Sequence, residues 1–330
     1  MIRLGSMLIL PIPDSRKNYL QFSAHLQEAR DADEVHFDFG SVSFVTPGWM
    51  IAVGDALRTF RAEHPEVACK AINFKRLTYP AHAGFFRFFG TQFGNGLNTT
   101  TTSERFIPIT SLLVEEIEDE ANEQFEHHGD TIQRSSEELV GVLLQTRETP
   151  AFQALAYSMR EVMRNVVEHS SSTDLTYAAQ YWPATGQAEI AITDRGMGLA
   201  RSLSSNPNLG NVDDKDALEL AVQPGVSSKT WRKQRSRSVW ANSGYGLYML
   251  KGLCLASGGS LSIASGTLAR TWSKQKDATI PSYVNGTMVI LSLNSDNLEE
   301  IDRELEKLRS EVSGSRPSPA SLSLNPKKQR

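Results

Sequence analysis

The chain has only two cysteines in 330 residues. Cys69 and Cys254 lie far apart inside apolar segments and read as core thiols, which argues against a disulfide framework or a cysteine metal site. Long apolar runs are also lacking, and none reaches the ~20 residues that a membrane span needs. The opening "MIRLGSMLILPIPDS" carries a single arginine and a short apolar stretch, with no signal-peptide core or cleavage site, so a cytoplasmic location is expected. Strong charge of either sign is missing: the formal net charge is −4. Bulk electrostatics therefore points neither to nucleic acid nor to a membrane surface. What is present is an ordinary globular composition, 40% hydrophobic, sufficient for sizeable cores and two domains.

Residues 1–95 alternate strand-like and helix-like patterns. "MLILPIP" reads as a strand and "RKNYLQFSAHLQEARDA" as a helix. "EVHFDFGSVSFV" alternates with Val35, Phe37 and Phe39 on one face. "TPGWMIAVGDALRTFRAEH" opens a helix with Thr46 as N-cap and Pro47 at the first helical position. "VACKAIN" follows as a strand, and "HAGFFRFFG" as an aromatic helix stopped by Gly90. Residues 96–148 form a linker, beginning Gly-, Asn- and Thr-rich and passing into the acidic, helix-like "SLLVEEIEDEANEQFEHHGD". A second α/β region spans 149–296. Residues 297–330 carry a C-terminal helix and a Ser/Pro-rich basic tail expected to be disordered.

The residues with chemical potential fall in the second region. "TPAFQALAYSMREVMRNVVEHS" predicts a helix with Thr149 as cap, Pro150 in its first turn and a stripe of Phe152, Leu155, Met159, Val162 or Met163, and Val166. Glu161, Asn165 and His169 recur every fourth residue and project from successive turns. Glu161 can orient or deprotonate a water. Asn165 offers a neutral hard oxygen suited to Mg²⁺. An ordinary polar helix edge has the same pattern. "AEIAITD" alternates as a strand, with Ala188, Ile190 and Ile192 opposite Glu189, Ala191 and Thr193, and ends in Asp194. An aspartate there can accept a hydrogen bond from an exocyclic amino group such as that of adenine. Gly196 and Gly198 then free the backbone, and a plain turn has the same composition.

Residues 200–243 carry little regular pattern apart from "DKDALELAV". They include Lys229, Arg232, Lys233, Arg235 and Arg237, flanked by Trp231 and Trp240. A solvated charge run, a lid whose cations meet phosphate, and a nucleic-acid contact all fit this stretch. The segment Ser243-Gly244-Tyr245-Gly246-Leu247 then starts a helix over 247–256, whose free N–H groups favour anions. "GSLSIAS" and "NGTMVILSL" read as strands, and Thr287 can add one hydrogen bond near a purine pocket.

The order of these pieces resembles the Bergerat-fold ATP-binding domain of the gyrase, heat-shock chaperone, histidine kinase and MutL superfamily (GHKL). The resemblance covers roughly 150–295. It implies a mixed, largely antiparallel sheet covered by helices on one face, with ATP held between helices and lid. It places Glu161 at the catalytic glutamate, Asn165 at the Mg²⁺-binding asparagine, and His169 at the histidine of variants found in histidine kinases and anti-sigma kinases. Asp194 matches the adenine-reading aspartate, with Gly196 and Gly198 its glycines. Gly244 and Gly246 match the phosphate-side glycines, and Thr287 the threonine after the last glycine. Lys229, Ser243, Tyr245 and Leu247 belong to the same nucleotide segment.

The first 95 residues are similar to a STAS domain of the anti-sigma-factor-antagonist type, on "EVHFDFGSVSFVTPGWMIAVGDALRTF". That family is phosphorylated on a serine or threonine at this helix start, and Ser43 and Thr46 are nearest. Pro47-Gly48 replaces its Ser-Gly neighbourhood. The combined reading is a regulatory Mg-ATP-binding protein whose slow hydrolysis switches partner binding. The alternatives are a serine/threonine kinase of the anti-sigma type acting on a STAS-type partner, a soluble histidine kinase, and an idle ATP-binding interaction protein. His127 and His128 are the only acceptor candidates for a histidine kinase, and Gly129-Asp130 is expected to break the helix such a kinase needs. A homodimer fits any of these.

Overall fold

Two sheets organise the chain. The computed structural model describes residues 2–4, 6–115, 128–169, 171–228 and 244–314. The smaller sheet has the order β1-β2-β3-β4, with β1 Ile2–Leu4, β2 Met7–Pro11, β3 Glu34–Asp38 and β4 Ala68–Ile72. β1 is antiparallel to β2, and β2, β3 and β4 run parallel. Parallel neighbours need crossovers, supplied by the stretch containing α1 (Phe22–Leu26) and by α2 (Pro47–Glu63). Thr46 caps α2 as expected, its Oγ1 accepting from the Trp49 N–H at 3.3 Å. The expected aromatic helix is instead two short ones, α3 (Thr78–His82) and α4 (Phe85–Phe88), because Gly84 turns the chain at φ +86°. Phe85, Phe86 and Phe89 pack round Phe39.

The larger sheet has the order β5-β6-β7-β9-β8, with β5 Phe106–Leu113, β6 Asp174–Trp182, β7 Gln187–Asp194, β8 Ser260–Ser273 and β9 Ala278–Asn294. Every pairing is antiparallel, so the sheet is not mixed. β5 also corrects the linker reading. "SLL" belongs to a strand paired with β6 and not to an acidic helix, and 116–127 lie outside the described residues. The remaining helices are α5 (His128–Leu144), α6 (Pro150–His169), α7 (Gly198–Ser204), α8 (Asp214–Ala221), α9 (Gly246–Ala256) and α10 (Leu298–Gly314). Gly129 and Asp130 sit in the first turn of α5 rather than breaking it. An acid in a first turn suits the helix dipole. Cys69 and Cys254 are free thiols. Among the described residues no helix is long and apolar enough to cross a membrane.

The coverage of this sheet differs from the expectation of helices on one face. One face does carry α5, α6, α9 and α10, over a core that includes Ala188, Ile190 and Ile192. The other face is also buried. Ala178, Ala191, Ala264, Met288 and Ile290 join the core of the N-terminal unit, with α2 lying across β6, β7 and β9. α2 comes close because Gly48 presents no side chain to Ile290 and Glu189, and Ala178, Ala191 and Ala264 leave room beside them. At the seam the Gly48 N–H donates to Glu189 Oε1 at 2.6 Å, and the Thr46 hydroxyl bonds the same carboxylate. Burial pushes the Glu189 carboxyl up, and these two bonds oppose that.

A Cβ on Gly48 would stand 2.7 Å from the Tyr19 hydroxyl, 2.8 Å from Ile290 Cγ2 and 2.9 Å from Glu189 Oε1. Gly48→Ala is therefore expected to cost about 1–3 kcal/mol through overpacking. Urea unfolding measures it, and an unchanged midpoint would show that the seam gives way freely.

Candidate functional site

α6 folds as its sequence predicts. Thr149 Oγ1 accepts from the Phe152 N–H at 3.2 Å, and the Phe152, Leu155, Met159, Met163, Val166 stripe is buried. That stripe sends Glu161 and Asn165 to the flank that borders a cavity of about 120 Å³ between α6, the ends of β7 and β9, and the start of α9. Glu161, Asn165, Asp194, Gly198, Gly244, Gly246, Leu247 and Thr287 all line it. Gly196 and Tyr245 do not. Gly196 stands behind the wall and donates its N–H to Asp194 Oδ1 at 2.7 Å. Tyr245 packs partly buried against the helix-side core. His169 ends α6, but its side chain lies outside the described residues, as do Lys229 and Ser243 and the rest of 229–243.

Each glycine has a distinct reason. Gly198 (φ +73°) starts α7, where a Cβ would stand 2.9 Å from Ser265 Oγ. Gly246 lets α9 begin against α6, since a Cβ there would stand 3.0 Å from Glu161 Cβ.

Two charges in the cavity are shaped by burial. Asp194 is 5% exposed, and loss of solvent pushes its carboxyl up to about 6. Backbone N–H bonds from Gly196 and Thr287 hold it down, while Asp55 and Asp174 raise it further. Glu161 is 4% exposed and Arg164 2%, and they pair at 3.1 Å from Nη1 to Oε1. No family model matches the chain, and no curated protein matches it significantly.

Among the described residues no group of three His, Cys, Asp or Glu side chains could hold a metal by itself. Asn165 is exposed at the cavity and offers a neutral oxygen beside Glu161. That donor set suits an ion such as Mg²⁺, which keeps several waters and takes further oxygens from a phosphate ligand.

Sequence reasoning missed part of the wall. Ser202 and Leu203 of α7, Ala221 of α8, and Val226 to Ser228 complete it. "GLARSL" carried the apolar spacing of a short helix and was the available signal. Arg164 was missed although its partner Glu161 stands three residues earlier on the same helix, and Arg195 because its partner Asp55 is 140 positions away.

Proposed function

We propose that this chain carries a GHKL-type, Bergerat-fold ATP site within 149–296, with β5 added to its sheet, and that it works as a Mg-ATP-dependent conformational switch. One observation carries the reading. Glu161 and Asn165 of one helix, Asp194 at a strand end, the glycines 198, 244 and 246, and Thr287 converge on a single cavity. A carboxylate that reads an amino group, a candidate base and a helix start open to anions are the parts that nucleotide hydrolysis needs. The cavity is below the ~300 Å³ low end of ligand pockets and suits the flat base. The phosphates would lie toward Gly244 and Gly246, at the start of α9.

In this mechanism Asp194 would accept from the exocyclic amino group, Asn165 would help hold Mg²⁺, and Glu161 would orient the attacking water. The bound ion supplies charge neutralisation at the phosphates. The N-terminal arrangement favours a switch over a kinase acting on its own chain. Thr46 caps α2 against Glu189, on the face of β7 opposite Asp194, and the Ser43 hydroxyl donates to Asp14 Oδ2 at 2.7 Å. A kinase would need a separate STAS-type substrate.

Incubation with γ-labelled ATP and Mg²⁺ tests the reading. Free labelled phosphate, released slowly and lost on chelation, is the expected result. Label retained on this chain or on a STAS-type protein would replace the switch with a kinase. Absence of nucleotide binding would remove both.

A further inference from the structure

α2 of the N-terminal unit places Asp55 and Arg58 one helical turn apart, both aimed at the end of the large sheet where Asp194 sits. Arg195 Nε and Nη2 both donate to Asp55 Oδ1 at 3.3 Å. Arg58 Nη1 donates to Asp174 Oδ2 at 3.2 Å. The Asp55 and Asp174 side chains are 4% and 7% exposed and Arg195 and Arg58 24% and 33%, so the carboxylates lie inside the seam and the guanidiniums reach them from its edge. Arg195 is the link to the cavity. It separates Asp194 from Gly196, and its own N–H donates to Ser172 Oγ at 2.9 Å, whose hydroxyl donates to the Asp174 carbonyl at 2.8 Å. β6 meets β7 there, with Leu175 opposite Asp194. A closed circuit thus runs from α2 through Arg195 to the turn that aims the Asp194 carboxylate, and back through Asp174 and Arg58.

Resting on the ATP reading above, we propose that Asp55 is a positioning residue of the nucleotide site, holding Arg195 and with it the Asp194–Gly196 turn, so that docking of the N-terminal unit and occupancy of the cavity favour each other. A ligand seated on Asp194 orders the turn and tightens the seam. By linkage, weakening the seam weakens the ligand equally. The N-terminal unit then serves as a built-in regulator: whatever prises α2 from the sheet releases nucleotide.

The test measures ATP dissociation constants, with Mg²⁺, on the full chain. Asp55→Asn keeps the shape and removes the charge, and it should weaken binding about fivefold or more. The swap of Asp55→Arg with Arg195→Asp should recover most of that loss. In the unaltered protein, ATP should slow amide exchange across 47–63 about threefold or more. An Asp55→Asn constant equal to the native one, a loss the swap leaves uncorrected, or α2 exchange indifferent to ATP would each overturn the proposal while leaving the ATP site standing. Failure of the native chain to bind ATP would overturn both. Should Asp55→Asn not fold, the exchange experiment on the native protein decides alone.

Discussion

Asp194→Asn will cost the protein its nucleotide and yet make the unliganded chain more stable at pH 8. Burial is the main cause of the raised Asp194 carboxyl, at about 6 against an ordinary 3.8. In the unfolded chain the group ionises near pH 4, and in the fold near 6. Below pH 4 it is protonated in both states and costs nothing. As pH rises from 4 to 6 the unfolded state gives up its proton first, and stability falls. Above 6 the penalty is complete, at most about 3 kcal/mol. The amide avoids it but turns one donor-facing oxygen into an N–H₂, so a net gain of about 1–2 kcal/mol is expected at pH 8 and none at pH 4. Denaturant midpoints at the two pH values measure this. Nucleotide binding should move the other way, falling at least about tenfold with the charged acceptor gone. Native affinity should also decline below pH 6 as the carboxyl takes up its proton, and the variant should not share that dependence. Equal affinity in the two proteins would remove Asp194 from the site.

The alternation of "AEIAITD" was enough to sort β7 into two faces, and both assignments hold: Ala188, Ile190 and Ile192 face the helices, and Glu189 and Ala191 face away. Period-two patterning separates the two sides of the strand and does not report what covers either of them. The alanines on the side facing away were the missed signal, since small side chains on a sheet leave room for a helix such as α2. The cavity residues were legible for a different reason. Glu161 and Asn165 follow from helical spacing, and Asp194 from its place at a strand end. The charge pair of Arg195 and Asp55 spans 140 positions and depends on how the two units dock, which no local pattern encodes. β5 was hidden because Thr110 and Ser111 break its apolar run beside an acidic stretch.

Glu161→Gln will abolish turnover while nucleotide still binds, and Glu161→Ala will do the same at the expense of the fold. The difference comes from Arg164, 2% exposed and paired with Glu161 one turn away on α6. Truncation to alanine removes the carboxylate from beside a buried guanidinium, and breaking such a pair costs about 3–5 kcal/mol. Glutamine keeps an oxygen for Arg164 and keeps the side chain against Gly246, so it should lose less stability than alanine although it too removes the counter-charge. Neither variant retains a group able to take a proton from water, and a positioned base contributes about 10²–10⁴-fold to rate. Phosphate release under saturating ATP, read beside the dissociation constant and the denaturant midpoint, separates these effects. Glutamine turnover within a few-fold of native would move the base elsewhere in the cavity. Equal midpoints for alanine and native would mean that the Glu161–Arg164 pair adds nothing to the stability of the fold. The same pair fixes a buried carboxylate at the cavity: the guanidinium holds Glu161 in one place, and Gly246 leaves room for the start of α9 beside it.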